Sequence, residues 1–143
     1  MVVVVARARP RPLNPLHAIL LAFPFPLFLG ALLSDLTYAQ TYQIQWANFS
    51  SWLIAGGLVG GGFAMLWAFV DLFRHRSGAR FWPLVYFLVL LAMFALGFVN
   101  ALVHAKDAWA TMPEGMYLSA VTTLLALVGA WIGFSGLTTT EVA

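Results

Sequence analysis

Four apolar stretches dominate this chain, and each is long enough to cross a bilayer: His17 to Thr37, Trp52 to Phe73, Phe81 to Ala105 and Gly115 to Phe134. A spanning helix needs about 20 mostly apolar residues, because the hydrocarbon core is about 30 Å thick and each residue rises about 1.5 Å. The connections between the stretches are short. The predicted architecture is therefore all-α, an integral membrane four-helix bundle. One transmembrane domain is expected over residues 15–137, between a basic tail (1–14) and a short tail (138–143). Only 8% of residues are charged, against about a quarter in soluble domains. The partner this composition implies is the lipid bilayer, not nucleic acid. With no cysteine in the chain, disulfides, thiolate metal sites and thiol redox chemistry are excluded.

The placement of charge matters more than the net +2. Arg7, Arg9 and Arg11 precede the first span, and Arg74, Arg76 and Arg80 lie between the second and third. Short basic flanks stay cytoplasmic, so the pattern predicts a multi-pass protein of the bacterial cytoplasmic (inner) membrane with both termini inside. The loop from Tyr38 to Ser51 and the turn from Lys106 to Glu114 then face outward. Lys106, beside Asp107, is the one cation that breaks the pattern. A cleavable signal peptide is the rival reading of the start, but its apolar region would span only about 7–15 residues.

Local features fit membrane helices. Pro24 and Pro26 predict a kink or irregular turn in the first span. Tyr38, Tyr42 and Trp46 recur every four residues, so the outer loop is read either as a surface-lying helical turn or as an irregular loop with an aromatic belt. Thr111-Met112-Pro113-Glu114 has capping-box spacing at the start of the last span. Small-xxx-small pairs occur at Gly56/Gly60 and Gly57/Gly61, and again at Gly129/Gly133. These faces predict close packing inside the bundle, with a dimer seam or a flat slot for a ring-shaped cofactor as the alternatives. A phosphate loop is excluded, because no strand precedes these glycines and no lysine accompanies them.

Chemistry would have to come from the few polar residues near or inside the spans, which are costly there and functional candidates by default. Gly97, Asn100, His104 and Asp107 follow helical spacing on one face. Asp35 ends the first span on the same side, and Ser119 with Thr122 and Thr123 enters from that side. A polar cluster of Asp35, Asn100, His104, Asp107 and Ser119 is therefore the leading candidate site, with helix-end capping by His104 and Asp107 as the plainer alternative. His17 and Asp71 rank second. Asp71 lies one turn before Arg74 and His75, the spacing of an interfacial ion pair. His17 and His104 begin and end their spans on opposite sides, roughly 25 Å or more apart by helix rise. They do not share one iron or metal ion, and no metal site or catalytic set is assigned.

The stretch Leu16-His17-Ala18-Ile19-Leu20-Leu21-Ala22-Phe23-Pro24, followed by Asp35, resembles the opening of the bacterial membrane-protein family catalogued as domain of unknown function 2231. Asn100-Ala101-Leu102-Val103-His104-Ala105-Lys106-Asp107-Ala108-Trp109 resembles it too, as do Met112-Pro113-Glu114-Gly115 leading to Ser119, and Gly129-Ala130-Trp131-Ile132-Gly133. The resemblance runs from about Asn14 to Gly133. It implies a four-helix inner-membrane protein without an agreed activity. Some relatives accompany membrane-associated sugar or alcohol dehydrogenases, which points to a redox setting. Family members often carry proline after the first histidine and a second histidine before the Phe-Pro pair. Ala18 and Ala22 stand there in this chain, which weakens a ligand role for the first helix.

Three functions are consistent with these features. The first is a non-enzymatic accessory or structural subunit of a membrane redox (dehydrogenase or respiratory) system, packing as a homo-oligomer or in a larger complex through its glycine faces. The second is an electron carrier that binds haem b or a quinone through His104. The third is an oligomeric channel or transporter for a small solute or proton; no internal repeat supports it.

Overall fold

The computed structural model describes residues 13–74, 81–107 and 110–136. Helices α1 (Pro15–Ala22) and α2 (Pro24–Thr41) together form the first span, followed by α3 (Ile44–Arg74), α4 (Phe81–His104) and α5 (Glu114–Phe134). Four spans are long and apolar enough to cross a membrane, and no strand occurs among the described residues. The basic amino-terminal tail, His75, Arg76, Arg80, Trp109 and residues 137–143 lie outside the described residues.

The break between α1 and α2 follows from proline chemistry. Pro24 and Pro26 bring no N–H to the helical ladder, and their rings crowd the preceding turn. The helix is interrupted at Phe23, after Asn14 has capped α1 by accepting from the Leu16 amide at 2.9 Å.

The connection between the first and second spans is tighter than either sequence reading. Instead of a loop from Tyr38 to Ser51, α2 runs to Thr41 and α3 starts at Ile44. Tyr42 makes the turn in a left-handed conformation (φ 52°), its amide bonding the Tyr38 carbonyl at 2.8 Å. The residues between Ile44 and Ser51 are polar enough to look like a loop, yet no glycine or proline interrupts them. With 31 residues, α3 is about 46 Å long, enough to cross the headgroup layers as well as the hydrocarbon.

The start of α5 also departs from expectation. No side-chain cap forms, and the N-cap position belongs to Pro113. The Thr111 hydroxyl donates backward to the Asp107 carbonyl at 3.4 Å, so it is turned away from the helix that follows. Glu114 does lie in the first turn of α5, facing the positive end of the dipole.

Around the bundle, α2 and α4 each pack against α3 and α5, so α2 and α4 face each other across the diagonal. Large apolar side chains such as Trp52, Phe63, Phe73 and Trp131 point outward, as lipid-solvated surfaces require. The interior is built from Leu21, Phe28, Ile54, Leu90, Met93 and small residues. Glycines let the helices approach. Phe28, fully buried, lies across Gly57 of α3 and Gly97 of α4; a Cβ at those positions would meet its ring at 3.0 and 3.2 Å. The slot envisaged for a cofactor ring is thus filled by the chain's own phenyl group. Gly56 packs against Leu27, Gly60 against Phe23, Gly61 against Met93 and Pro24, and Gly129 against Leu90. Gly133 accommodates Leu21 and Tyr86. These faces are covered from within the chain.

Candidate functional site

Polar side chains from all four spans meet at the end of the bundle where α2 and α4 finish. Asp35 is placed there by the last turns of α2, Ser50 by the second turn of α3, Asn100 and His104 by the last turns of α4, and Ser119 by the second turn of α5. Asp35, Ser50, Asn100 and Ser119 are fully buried, and the His104 side chain is 1% exposed. The core of the cluster is the diagonal contact between His104 Nε2 and Asp35 Oδ1 at 2.9 Å. The Ser119 hydroxyl donates to the other carboxyl oxygen, Oδ2, at 2.5 Å, and accepts from Asn100 Nδ2 at 2.9 Å. Ser50 Oγ lies 3.3 Å from His104 Nε2 and donates to the Ala31 carbonyl at 3.3 Å.

The proton inventory follows from donor and acceptor rules. His104 Nδ1 lies 3.0 Å from the Asn100 carbonyl. A carbonyl only accepts, so Nδ1 carries a hydrogen. The contact between Nε2 and Oδ1 then holds one proton, either as imidazolium with carboxylate or as imidazole with carboxylic acid. Either form satisfies both partners without water. The carboxyl group fixes the ring orientation, as carboxylates do for imidazoles elsewhere. Asn100 Oδ1 alone in the cluster is buried without a hydrogen-bond partner.

The structure brings Asp35, Asn100, His104 and Ser119 together, and it leaves Asp107 outside. Helix α4 ends at His104, so the helical spacing that puts Asp107 on the same face does not continue that far. Asp107 is exposed, and its carbonyl accepts from Ala110 and Thr111. Thr122 and Thr123 bond carbonyls of their own helix, at Leu118 and Ser119. Ser50 joins the cluster unexpectedly, because it falls within the expected outer loop; its helical register with Ile54 and Gly57 is the signal that points to it.

A second cluster lies at the opposite end. His17 Nε2 is 2.9 Å from the Tyr86 hydroxyl, and the ring stacks on Trp67 with centroids 5.5 Å apart and an interplanar angle of 27°. His17 is 3% exposed, and its Nδ1 is buried without a hydrogen-bond partner. Tyr86 is not among the residues the sequence singles out, although its relation to His104 repeats that of His17 to Asp35: the same separation of 69 residues joins His17 to Tyr86 and Asp35 to His104. Both helical lines advance roughly 18 residues, five turns or about 27 Å, between the two contacts. His17 and His104 are therefore too far apart to share a ligand. Asp71 and Arg74 line a groove near Trp67. Among the described residues, no group of three potential metal ligands occurs.

With this geometry in place, comparison with known proteins yields one match. The family model described as "Predicted membrane protein (DUF2231)" matches residues 13–142. The chain belongs to this family. No curated protein and no solved structure matches it. In this DUF2231 protein the matched region covers all four spans and both polar clusters.

Proposed function

We propose that this DUF2231 protein is a non-enzymatic accessory subunit of the bacterial cytoplasmic membrane, with both termini on the cytoplasmic side. The observation that carries this reading is the closure of the Asp35–His104 cluster on itself. Both His104 nitrogens are engaged, both Asp35 oxygens are engaged, and the side chains are shielded from solvent and lipid. A residue that ligates haem needs a free nitrogen, and one that binds a quinone needs an open face. His104 offers neither without first giving up Asp35. The cluster instead ties α2, α3, α4 and α5 to one another at the end where α2 turns into α3 and α4 gives way to α5.

A conduit through a single chain has less support. Between the two polar ends, α4 presents Leu90 and Met93 to the interior, and the first span presents Leu21 and Phe28. The redox setting comes from the family resemblance, and the cytoplasmic orientation from the arginine-rich flanks.

The test is purification in mild detergent, followed by an absorption spectrum and a native mass. A colourless preparation whose mass exceeds one 15.7 kDa chain through an added protein partner is the expected result. A Soret band that disappears in His104→Ala overturns the proposal in favour of an electron carrier.

A further inference from the structure

Lys106 is the only lysine in the chain, and it lies at the end of the bundle opposite Arg74. It also lines an open cleft of about 450 Å³ with Gln45, Asn48, Ser51, His104 and Thr111. The ammonium group is exposed just past the end of α4. Across the cleft, the first two turns of α3 present two carboxamides and a hydroxyl. Lys106, Asn48 and Gln45 carry N–H donors that suit an anion. One Gln45 N–H is taken by Gln43 Oε1 at 2.7 Å, which leaves the other, and the Ser51 hydroxyl donates to the Ala47 carbonyl at 2.9 Å. Asp107 is exposed next to Lys106, and Glu114 is exposed at the start of α5, but neither lines the cleft.

Depth identifies the kind of anion. Counting back from Arg74, the hydrocarbon core takes up about 20 residues of α3, to roughly Ile54. Gln45, Asn48 and Ser51 then fall within about 15 Å beyond it, in the headgroup layer. Ile44, Phe49 and Trp52 are exposed on the same stretch, apolar and aromatic groups that settle at that boundary. The phosphate of a glycerophospholipid occupies this layer at high local concentration.

We propose that this cleft is a phospholipid headgroup site, in which Lys106 pairs with the phosphodiester and the Asn48 and Gln45 amides donate to its oxygens. The cleft opens above the Asp35–His104 cluster, and His104, whose side chain is 1% exposed, is the residue the two share. The site's occupant is the lipid, not free phosphate, and it does not depend on the accessory-subunit reading.

Native mass spectrometry of the full chain, released from detergent after incubation with defined lipids, tests the site. Wild-type protein is expected to retain one phosphatidylglycerol or phosphatidylcholine molecule in preference to a diacylglycerol of the same chains, which lacks the phosphate. Lys106→Gln is expected to lower that retention about fivefold, the effect of one partly exposed ion pair. Lys106→Arg should keep it. Lys106 is exposed, so neither variant threatens the fold, and an unchanged unfolding temperature checks this. Equal retention of diacylglycerol, or no change in Lys106→Gln, overturns the proposal, because the lipid would then be held by apolar contact alone. Displacement of the phospholipid by millimolar inorganic phosphate overturns it as well, because the cleft would then be a site for a soluble anion.

Discussion

The two buried histidines of this DUF2231 protein sit in matching positions and are held in different ways. His104 is bonded through both nitrogens, to a carboxyl group across the bundle diagonal and to a carbonyl of its own helix. His17 has one hydrogen bond, to Tyr86, and otherwise relies on the face of Trp67. One end is a connected polar network reaching all four spans; the other is an aromatic stack with a single polar contact. The difference teaches that two buried histidines in matching positions can be satisfied by different means. At the first end the ring fastens helices, and at the second it is mostly packing.

The largest expected effect breaks the network at its centre. Asp35→Ala removes the carboxyl partner of both His104 and Ser119 and leaves them buried. Loss of one partner from a buried charged pair costs about 3–5 kcal/mol, so thermal unfolding in detergent should shift steeply downward. Asp35→Asn, which keeps the shape and can still pair with Ser119, should lose less. If Asp35→Ala unfolds like wild type, the cluster does not hold the helices together.

A smaller loss is expected from the packing between the two ends. Gly57→Ala places a methyl group 3.0 Å from the Phe28 ring, and that ring is wedged against Gly97 on its other side. Overpacking of this kind costs about 1–3 kcal/mol. Gly56→Ala meets only the end of the Leu27 side chain, at 3.2 Å, which has room to rotate. The ratio of the two shifts measures how rigidly Phe28 is set, and equal shifts would show that it is not set at all.

Much of this arrangement is legible in the amino-acid sequence, for definable reasons. Apolar length announces a helical span directly, because in lipid a single segment must satisfy all its backbone hydrogen bonds internally, as a helix does. The polar cluster is legible because Asp35, Asn100, His104 and Ser119 lie near the same end of their spans, where few alternatives exist. What is not legible depends on helix ends. Helical spacing assigns Asp107 to the cluster only if α4 continues past His104, and it does not. Ser50 escapes notice when the second span is started at Trp52, because its polar neighbours hide the first turns of α3. The expected Thr111 cap fails because the hydroxyl finds a carbonyl in the preceding turn. Tyr86 is hidden among apolar neighbours, where one hydroxyl barely alters hydropathy.

Back at the His17 end, Tyr86→Phe strips the histidine of its one hydrogen bond. Hydrogen bonds between membrane helices average about 0.6 kcal/mol, so a modest destabilisation is expected. The informative variant is the double one. His17→Phe with Tyr86→Phe removes both partners together with the unpartnered Nδ1, and replaces them by rings of similar size that still lie against Trp67. Exchanging both members of a hydrogen bond for apolar groups of the same shape is nearly neutral. The double variant should therefore regain the stability of wild type, or exceed it. The matching exchange at the other end, Asp35→Leu with His104→Phe, cannot be neutral, because Ser119 would stay buried with its acceptor gone. Should the His17–Tyr86 double variant fall as far as Asp35→Ala, His17 has a role that packing does not account for, and Asp71 and Arg74 beside Trp67 are where to look for it.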